Sequence, residues 1–404
     1  MEEPTFFDSA GNEFFSLEGY KCSFEICSDS VGNNILKVTA NSDEPIHYAF
    51  GSSNGLCLTT PFGSVIKPDL LKALISLPDN NAKAILQYLE ETGFFFSISN
   101  AGELIIDATQ MVELIYRLKA TILLMSAISE PRHDYDIILQ MTLYLLLSDR
   151  INLQLSDRNV YNSCSHSVKT LIDSATIMPI TEEDYTEANE TGFYSIKDTV
   201  YKPSYNLDAE EYDDIVSGDT FSFSYPGIDD HNYRQLTYLY KNYKKEKKSD
   251  RYVIDFLFHL MHETAVVKSV SFLSGVSFYS DKKSIILDEE MKGALLITAK
   301  LVLANEINYN ISKIRPTFNP SKLEPSWKAT SLLSAYYFSI YYMHPGKEIY
   351  RKCANPSCHE YFSVKTSNSR KIYCCTKCRD ANDQREHRIK IKNGTAKKGQ
   401  PRKK

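Results

Sequence analysis

No hydrophobic run in this 404-residue sequence is long enough to suggest a membrane span. The longest uncharged hydrophobic segment, Ala329 to Met343, covers 15 residues and is interrupted by Ser and Thr, against the roughly 18 that a spanning helix needs. It reads as a buried helix. The N-terminus, Met1-Glu2-Glu3-Pro4, has no basic segment ahead of an apolar one, so no secretory signal is read and a reducing cytoplasm is expected. There is no Walker-type Gly-Lys-Ser/Thr loop and no dinucleotide Gly pattern, and nothing repeats at solenoid periods. These absences set aside membrane proteins, P-loop and dinucleotide-binding enzymes, and repeat arrays. What is present, 43% hydrophobic and 24% charged residues, fits two or three globular domains at roughly 100–200 residues each. It excludes wholesale disorder, a collagen-like chain and a disulfide mini-protein.

The net charge of −5 conceals a split. Arg351 to Lys404 holds 16 Lys+Arg against 4 Asp+Glu, net +12, which leaves the first 350 residues at −17. A basic tail on an acidic body points to a polyanionic partner. Within the body, residues 181–232 carry 14 acidic residues against Lys197 and Lys202, with Tyr, Gly and Pro throughout, and read as a loop-rich acidic insertion. The leading reading is a solvated acidic loop far from the tail; because its charge is equal and opposite to the tail's, a subsidiary expectation is that it masks the basic tail by mimicking nucleic acid.

The periodicities predict an α+β chain: a mostly helical N-terminal region with a small N-terminal sheet, then a small C-terminal metal-binding module followed by a basic helix. Short strands are expected at Phe14-Phe15, Tyr20–Ile26 and Ile35–Thr39, with turns at Asp43-Glu44-Pro45 and Gly51–Gly55. Apolar residues at three- and four-residue spacing predict helices from Pro68 to Gly93, the second capped by Asp79 and stopped by Gly93. Phe94–Ile98 and Leu104–Ile106 read as a hairpin. Helices follow over Met111–Ile128, Tyr135–Leu147, Leu236–Leu273 with a break near Lys241–Arg251, Glu289–Ile311 and Trp327–Met343. Pro316, Pro320 and Pro325 read as a linker. The expected organisation is a sensing or dimerising region over 1–325, a connecting helix over 326–345, a metal-binding finger with its basic helix over 346–392, and a disordered basic tail over 393–404.

Five of the nine cysteines, Cys353, Cys358, Cys374, Cys375 and Cys378, fall within 26 residues. In a reducing compartment, two close pairs separated by a 15-residue spacer are the pattern of a tetrahedral Zn²⁺ site, each turn presenting two thiolates. Cys374 is preferred to Cys375 as partner of Cys378, because its three-residue gap suits one helical turn. His359, beside Cys358, is a weaker alternative ligand. Four protein ligands close the site, so one structural zinc per chain is expected, with no catalytic position. The segment after Cys378 contains no Gly or Pro as far as Lys392. On it Ala381, Arg385, Arg388 and Lys392 share one helical face, flanked by Asn382 and Gln384. Arg and Lys neutralise phosphates, and Arg, Gln and Asn read base edges in the major groove.

The run Arg351-Lys352-Cys353-Ala354-Asn355-Pro356-Ser357-Cys358, then Phe362, Arg370-Lys371, Tyr373-Cys374 and the Arg/Lys-rich helix, resembles the CGNR-type zinc finger. That finger ends bacterial transcription regulators carrying an N-terminal ABATE domain. The resemblance covers about 50 of the 404 residues. It implies zinc on Cys353, Cys358, Cys374 and Cys378 and nucleic-acid contact from the helix behind them, where Arg370, Lys371, Arg379, Gln384, Arg385, Arg388 and Lys392 are the candidates. The leading expectation is a non-enzymatic cytoplasmic regulator, able to homodimerise, that binds double-stranded DNA. A second expectation is an RNA-binding or protein-interaction module of a phage-defence or toxin-like system. A third, a metalloenzyme, rests on His259 and His262, three residues apart beside Glu263, in neither of the usual zinc-protease orders.

Overall fold

The computed structural model describes residues 15–28, 32–51, 55–79, 81–98, 103–156, 158–177, 186, 189–195, 206–217, 226–243, 246–280, 285–319, 323–343, 348–365 and 370–393. The basic tail from 394 onward and much of the acidic insertion lie outside them. The chain is α+β, a mixture of helices and small sheets.

Strand β1 (Phe15–Ser16) precedes a five-stranded sheet of β2 (Glu18–Ser28), β3 (Asn34–Gly51), β4 (Gly55–Thr59), β5 (Val65–Lys67) and β6 (Glu103–Asp107). The turn expected at Asp43–Pro45 does not end a strand. β3 runs through it as a bulge, in which Tyr20 pairs with Pro45 and the next residue, Lys21, pairs with Asn41. Asn41 takes up the displaced chain through its bonds to Glu44 (2.8 Å) and to the Asp43 N–H (3.1 Å).

Helices α1 (Leu70–Ile75) and α2 (Ala82–Thr92) match their periodicity, but Asn81 rather than Asp79 caps α2. Asp79 instead receives the buried Lys119 ammonium at 2.5 Å. Gly93 ends α2 at φ 90°, a conformation that favours glycine. Phe94–Ile98 is not a strand: Phe94, Phe95 and Phe96 are all buried, which the alternation of a one-sided strand forbids. β6 pairs with β3 instead.

Helix α3 (Ala108–Ser129) is followed by α4 (Tyr135–Leu147), the hairpin β7 (Asn152–Ser156) and β8 (Asn159–Asn162), and α5 (Ser167–Ser174). α3 is apolar nearly all round because two cores share it. Leu114, Ile115, Leu118, Ile122 and Met125 join the sheet-side core, while Tyr116, Ala120, Leu124 and Ala127 join a helical core. The helical core also draws on the acidic segment. Its described part holds β9 (Phe193–Ser195), β10 (Asn206–Asp208) and α6 (Ala209–Ser217), with Leu207, Tyr212, Ile215 and Val216 buried. Four apolar side chains spaced among carboxylates give that stretch a packed face, so this part is not loop.

Next come α7 (His231–Asn242) and α8 (Lys248–Glu263), divided where expected, and then the hairpin β11 (Val267–Ser271) and β12 (Gly275–Phe278) in place of a helix end. Helix α9 (Glu289–Ile311) has the expected bounds. The proline-marked segment is not a linker but the hairpin β13 (Arg315–Asn319) and β14 (Glu324–Lys328), completed by β1 pairing parallel to β14. Helix α10 (Leu332–Tyr342) is shorter than the expected connecting helix and is a core element: Ala335, Tyr336, Tyr337 and Ile340 are fully buried on the sheet side. Its apolar surface is too continuous for a solvated connection.

One ion-pair node crosses the helical layers. Arg117 of α3 pairs with Glu306 of α9, and its guanidinium also donates to the carbonyls of Leu145 (3.1 Å) and Cys164 (3.0 Å) and to Ser148 Oγ (3.2 Å). His166 Nε2 reaches the same carboxylate at 3.0 Å. Burial opposes ionisation of Glu306, but Arg117 and His166 more than offset it and hold its carboxyl below the ordinary range. Removing one member of such a pair strands a buried charge, so Glu306→Gln is expected to lower stability by about 3–5 kcal/mol, read as a fall in the denaturant midpoint.

A pH dependence follows from His262. Burial lowers its pKa to about 4, with Tyr233 Oη at 2.9 Å from Nδ1, Glu211 at 3.8 Å from Nε2, and His259 and Glu263 beside it. The folded value lies below the unfolded one of about 6.5, so the native state binds fewer protons between them. Stability is expected to fall as pH drops from about 6.5 toward 4, by roughly 3 kcal/mol in all. The loss should be shallower in His262→Gln, as followed by thermal melts across that range.

Candidate metal centre

The C-terminal module consists of β15 (Glu348–Lys352), β16 (Tyr361–Lys365) and helix α11 (Thr376–Lys392). The two strands form an antiparallel hairpin, and the connection between them is the first cysteine knuckle. Asn355 builds this turn: its carbonyl accepts the Cys358 N–H at 2.8 Å and its Oδ1 accepts the Ser357 N–H at 3.2 Å. The asparagine thereby closes a knuckle with four residues between its two cysteines. A bond from the Ala354 N–H to the Ile372 carbonyl, 2.8 Å, folds the spacer back. Cys374 is thereby placed opposite the knuckle, and Cys378 sits on the first turn of α11.

The sulfurs of Cys353, Cys358, Cys374 and Cys378 all lie within 4.8 Å of one another. Cys374 Sγ is 3.8 Å from Cys358 Sγ and 3.5 Å from Cys378 Sγ, far beyond the ~2.05 Å of a disulfide. Tetrahedral coordination with metal–sulfur bonds of about 2.3 Å gives S···S edges of about 3.8 Å, so the spacing fits a four-thiolate ion. Burial opposes ionisation of Cys353, but hydrogen bonds to its sulfur from the backbone of Cys374 and Asn355, and then from neighbouring thiols, hold it below its ordinary value. Burial and the adjacent thiols push Cys374 the other way. Four crowded sulfurs cannot all carry charge unless a cation enters among them. These four cysteines can hold a metal ion. Cys375 caps α11, exposed and outside the group, and His359 is exposed and outside it as well.

The module is docked on the body, not tethered to it. Arg351 makes a two-pronged ion pair with Glu130, at 2.8 and 2.6 Å. Tyr350 donates through its hydroxyl to Asp69 (2.6 Å) and through its N–H to Ser126 (3.2 Å), and the Tyr361 N–H donates to Ser76 at 3.1 Å. Residues 350 and 361 therefore serve docking, while Phe362, with Ile349 and Val364, fills the module's own core.

α11 extends outward with almost every side chain exposed. Arg370, Gln384, Arg385, Arg388 and Lys392 are exposed and make no ion pair among the described residues. Arg379 pairs with Asp380 at 3.3 Å, and Lys371 lies over the Phe362 ring at 5.2 Å. Asn382 differs from its expected place beside the basic face. It is buried, and its Nδ2 donates to Tyr373 Oη and Glu386 Oε1, each at 2.9 Å. It ties α11 to the cysteine spacer and is not available to a base.

Among the described residues, His259 and His262 belong to no group of three metal-type donors. His259 sits between Tyr240 Oη, 3.2 Å from Nε2, and Glu263, 2.5 Å from Nδ1, and the His262 ring stacks on Phe258. A second group of metal-type donors went unnoticed in the sequence: Cys164, His166 and Glu306. No spacing pattern announces it, because α9 brings Glu306 from far along the chain. Its carboxylate is already neutralised by Arg117, which makes it the ion-pair node described above. Among the described residues, no helix is long and apolar enough to cross a membrane. Set against protein-family models, curated proteins and solved structures, the chain has no match.

Metal analysis of the purified protein is expected to return one thiolate-bound ion per chain. Cys375→Ser should keep it and Cys358→Ser should lose it; retention in Cys358→Ser would remove the four-cysteine assignment.

Proposed function

We propose that the protein is a zinc-dependent DNA-binding protein of the CGNR-like kind, a transcription regulator, in which one structural Zn²⁺ on Cys353, Cys358, Cys374 and Cys378 positions α11 for double-stranded DNA. The observation that carries this reading is α11 itself. It is a helix of 17 residues, about 26 Å long at 1.5 Å per residue, anchored at its first turn by Cys378 and at Asn382, and otherwise in solvent. A helix polar on all sides gains little from packing. This one carries 6 Lys+Arg against 3 Asp+Glu, and its cationic face of Arg385, Arg388 and Lys392 has no acidic partner among the described residues. Zinc is the ion favoured by a closed set of four cysteines, and it needs no redox partner. The bound ion fixes the start of the helix, and Arg351 with Glu130 fixes the module on the body, so the helix is presented in one orientation. Phosphates meet Arg370, Arg385, Arg388 and Lys392; Gln384 and one of the arginines reach base edges.

Full-length protein titrated with duplex DNA across a salt series should show log affinity falling steeply with log salt, by about 0.9 for each phosphate contacted. Replacing Arg385 and Arg388 together by Ala should reduce that slope by about 2 without releasing zinc. A flat salt dependence sinks the proposal. Structured RNA competing better than duplex DNA replaces it with the RNA-binding reading.

A further inference from the structure

A cleft of about 460 Å³, with no residue of the cysteine module among those that line it, opens where the β7–β8 hairpin, the end of α9 and the start of α10 meet. That volume falls in the range of small-molecule sites, roughly 300–1,000 Å³. One wall is apolar and braced. Phe96 and Tyr161 pack with ring centres 4.9 Å apart, and the Tyr161 hydroxyl donates to Asn310 Oδ1 at 3.1 Å. The rim offers the amides of Asn159 and Asn162, and Ser331 marks where the N-terminus of α10 opens onto it.

The charge lining this cleft is one-sided. Among the described residues, Lys313 and Arg315 line it and no Asp or Glu does. Both are exposed and neither makes an ion pair among the described residues. Arg315 also stands directly opposite Lys328 across the β13–β14 ladder, a like-charge placement that costs stability in a sheet, and Lys328 too has no ion pair among the described residues. Lys313, Arg315 and the neighbouring Lys328, none ion-paired among the described residues, stand on a part of the chain whose net charge is −17. A second cleft of similar size, about 470 Å³, sets Glu113 and Asp149 against Arg150 and Lys268 and so has no preference of sign.

We propose that the first cleft binds a small phosphomonoester. Its phosphate would sit against Lys313 and Arg315, and its hydroxylated or heterocyclic body against Asn159, Asn162 and the Tyr161 wall. This deepens the regulator reading by giving the body a ligand to sense, yet it stands on the cleft alone and is tested without DNA.

The test is calorimetric titration of the zinc-loaded full chain with AMP, glucose 6-phosphate, inorganic phosphate and, as a neutral control, adenosine. AMP or glucose 6-phosphate is expected to bind at least tenfold more tightly than adenosine, the better of the two telling a nucleotide from a sugar phosphate. Lys313→Ala with Arg315→Ala should weaken that binding at least tenfold. Both side chains are exposed and Arg315→Ala also removes the repulsion toward Lys328, so this double variant should melt no lower than the parent. Arg385→Ala with Arg388→Ala should bind as the parent does, which separates this site from the proposed DNA surface. The proposal is overturned if neither organic phosphate binds at millimolar concentration. It is equally overturned if adenosine binds as well as AMP, if inorganic phosphate binds as well as either ester, if the Lys313/Arg315 variant binds undiminished, or if the Arg385/Arg388 variant is the one that loses binding.

Discussion

Among the described residues, the buried apolar core of the C-terminal module is Ile349, Cys353, Phe362 and Val364, too little apolar surface to hold a hairpin and a helix together unaided. What joins them is the convergence of four sulfurs, two from the knuckle between β15 and β16 and two from the approach to α11. Everything proposed for the module follows from that constraint. The direction of α11, the burial of Asn382 under it and the outward display of its arginines are all set within one turn of Cys378. A protein that needs a rigid, fully solvated basic helix has few other ways to hold one, because a helix with no apolar face cannot be fixed by packing.

The body supplies the second fixed point. α3 lies between two cores, with Leu118 and Ile122 turned to one and Ala120 and Leu124 to the other. Near its C-terminal end it carries Ser126 and is followed by Glu130, the groups that hold Tyr350 and Arg351. The docking surface is therefore attached to a helix packed against both cores of the body. A metal ion held by the four cysteines and the packing beneath the module would act in series: the first would fix the helix on the hairpin, and the second fixes the hairpin on the body.

Much of the architecture was legible in the sequence, where one face of an element is buried and its neighbours are local. The bounds of α9 and the break between α7 and α8 follow from periodicity alone. So does the choice of Cys374 over Cys375, which a helical turn of spacing indicates. Other elements misled for definite reasons. Pro316 and Pro325 sit directly in a hairpin, each tolerated on a short ladder. Phe94–Phe96 are buried together, which erases the alternation of a strand. The acidic segment hides Tyr212 and Ile215 among carboxylates, so composition alone read it as solvated. Asn382 has the chemistry of a base reader, and only the position of Tyr373 makes it a brace.

The sequence by itself determined what depends on near neighbours: helix periods, the knuckle spacing of the cysteines, the polar face after Cys378 and the split of charge between body and tail. Tertiary structure decided what depends on residues far apart. Arg117 and Glu306 are 189 positions apart, and no local pattern could pair them. Arg315 and Lys328 become neighbours only through strand register, and the cleft that Arg315 lines exists only once three separate elements have met. Short-range spacing is fixed by backbone geometry common to all chains, whereas long-range pairing is fixed by which surfaces pack together, and that is a property of the whole fold.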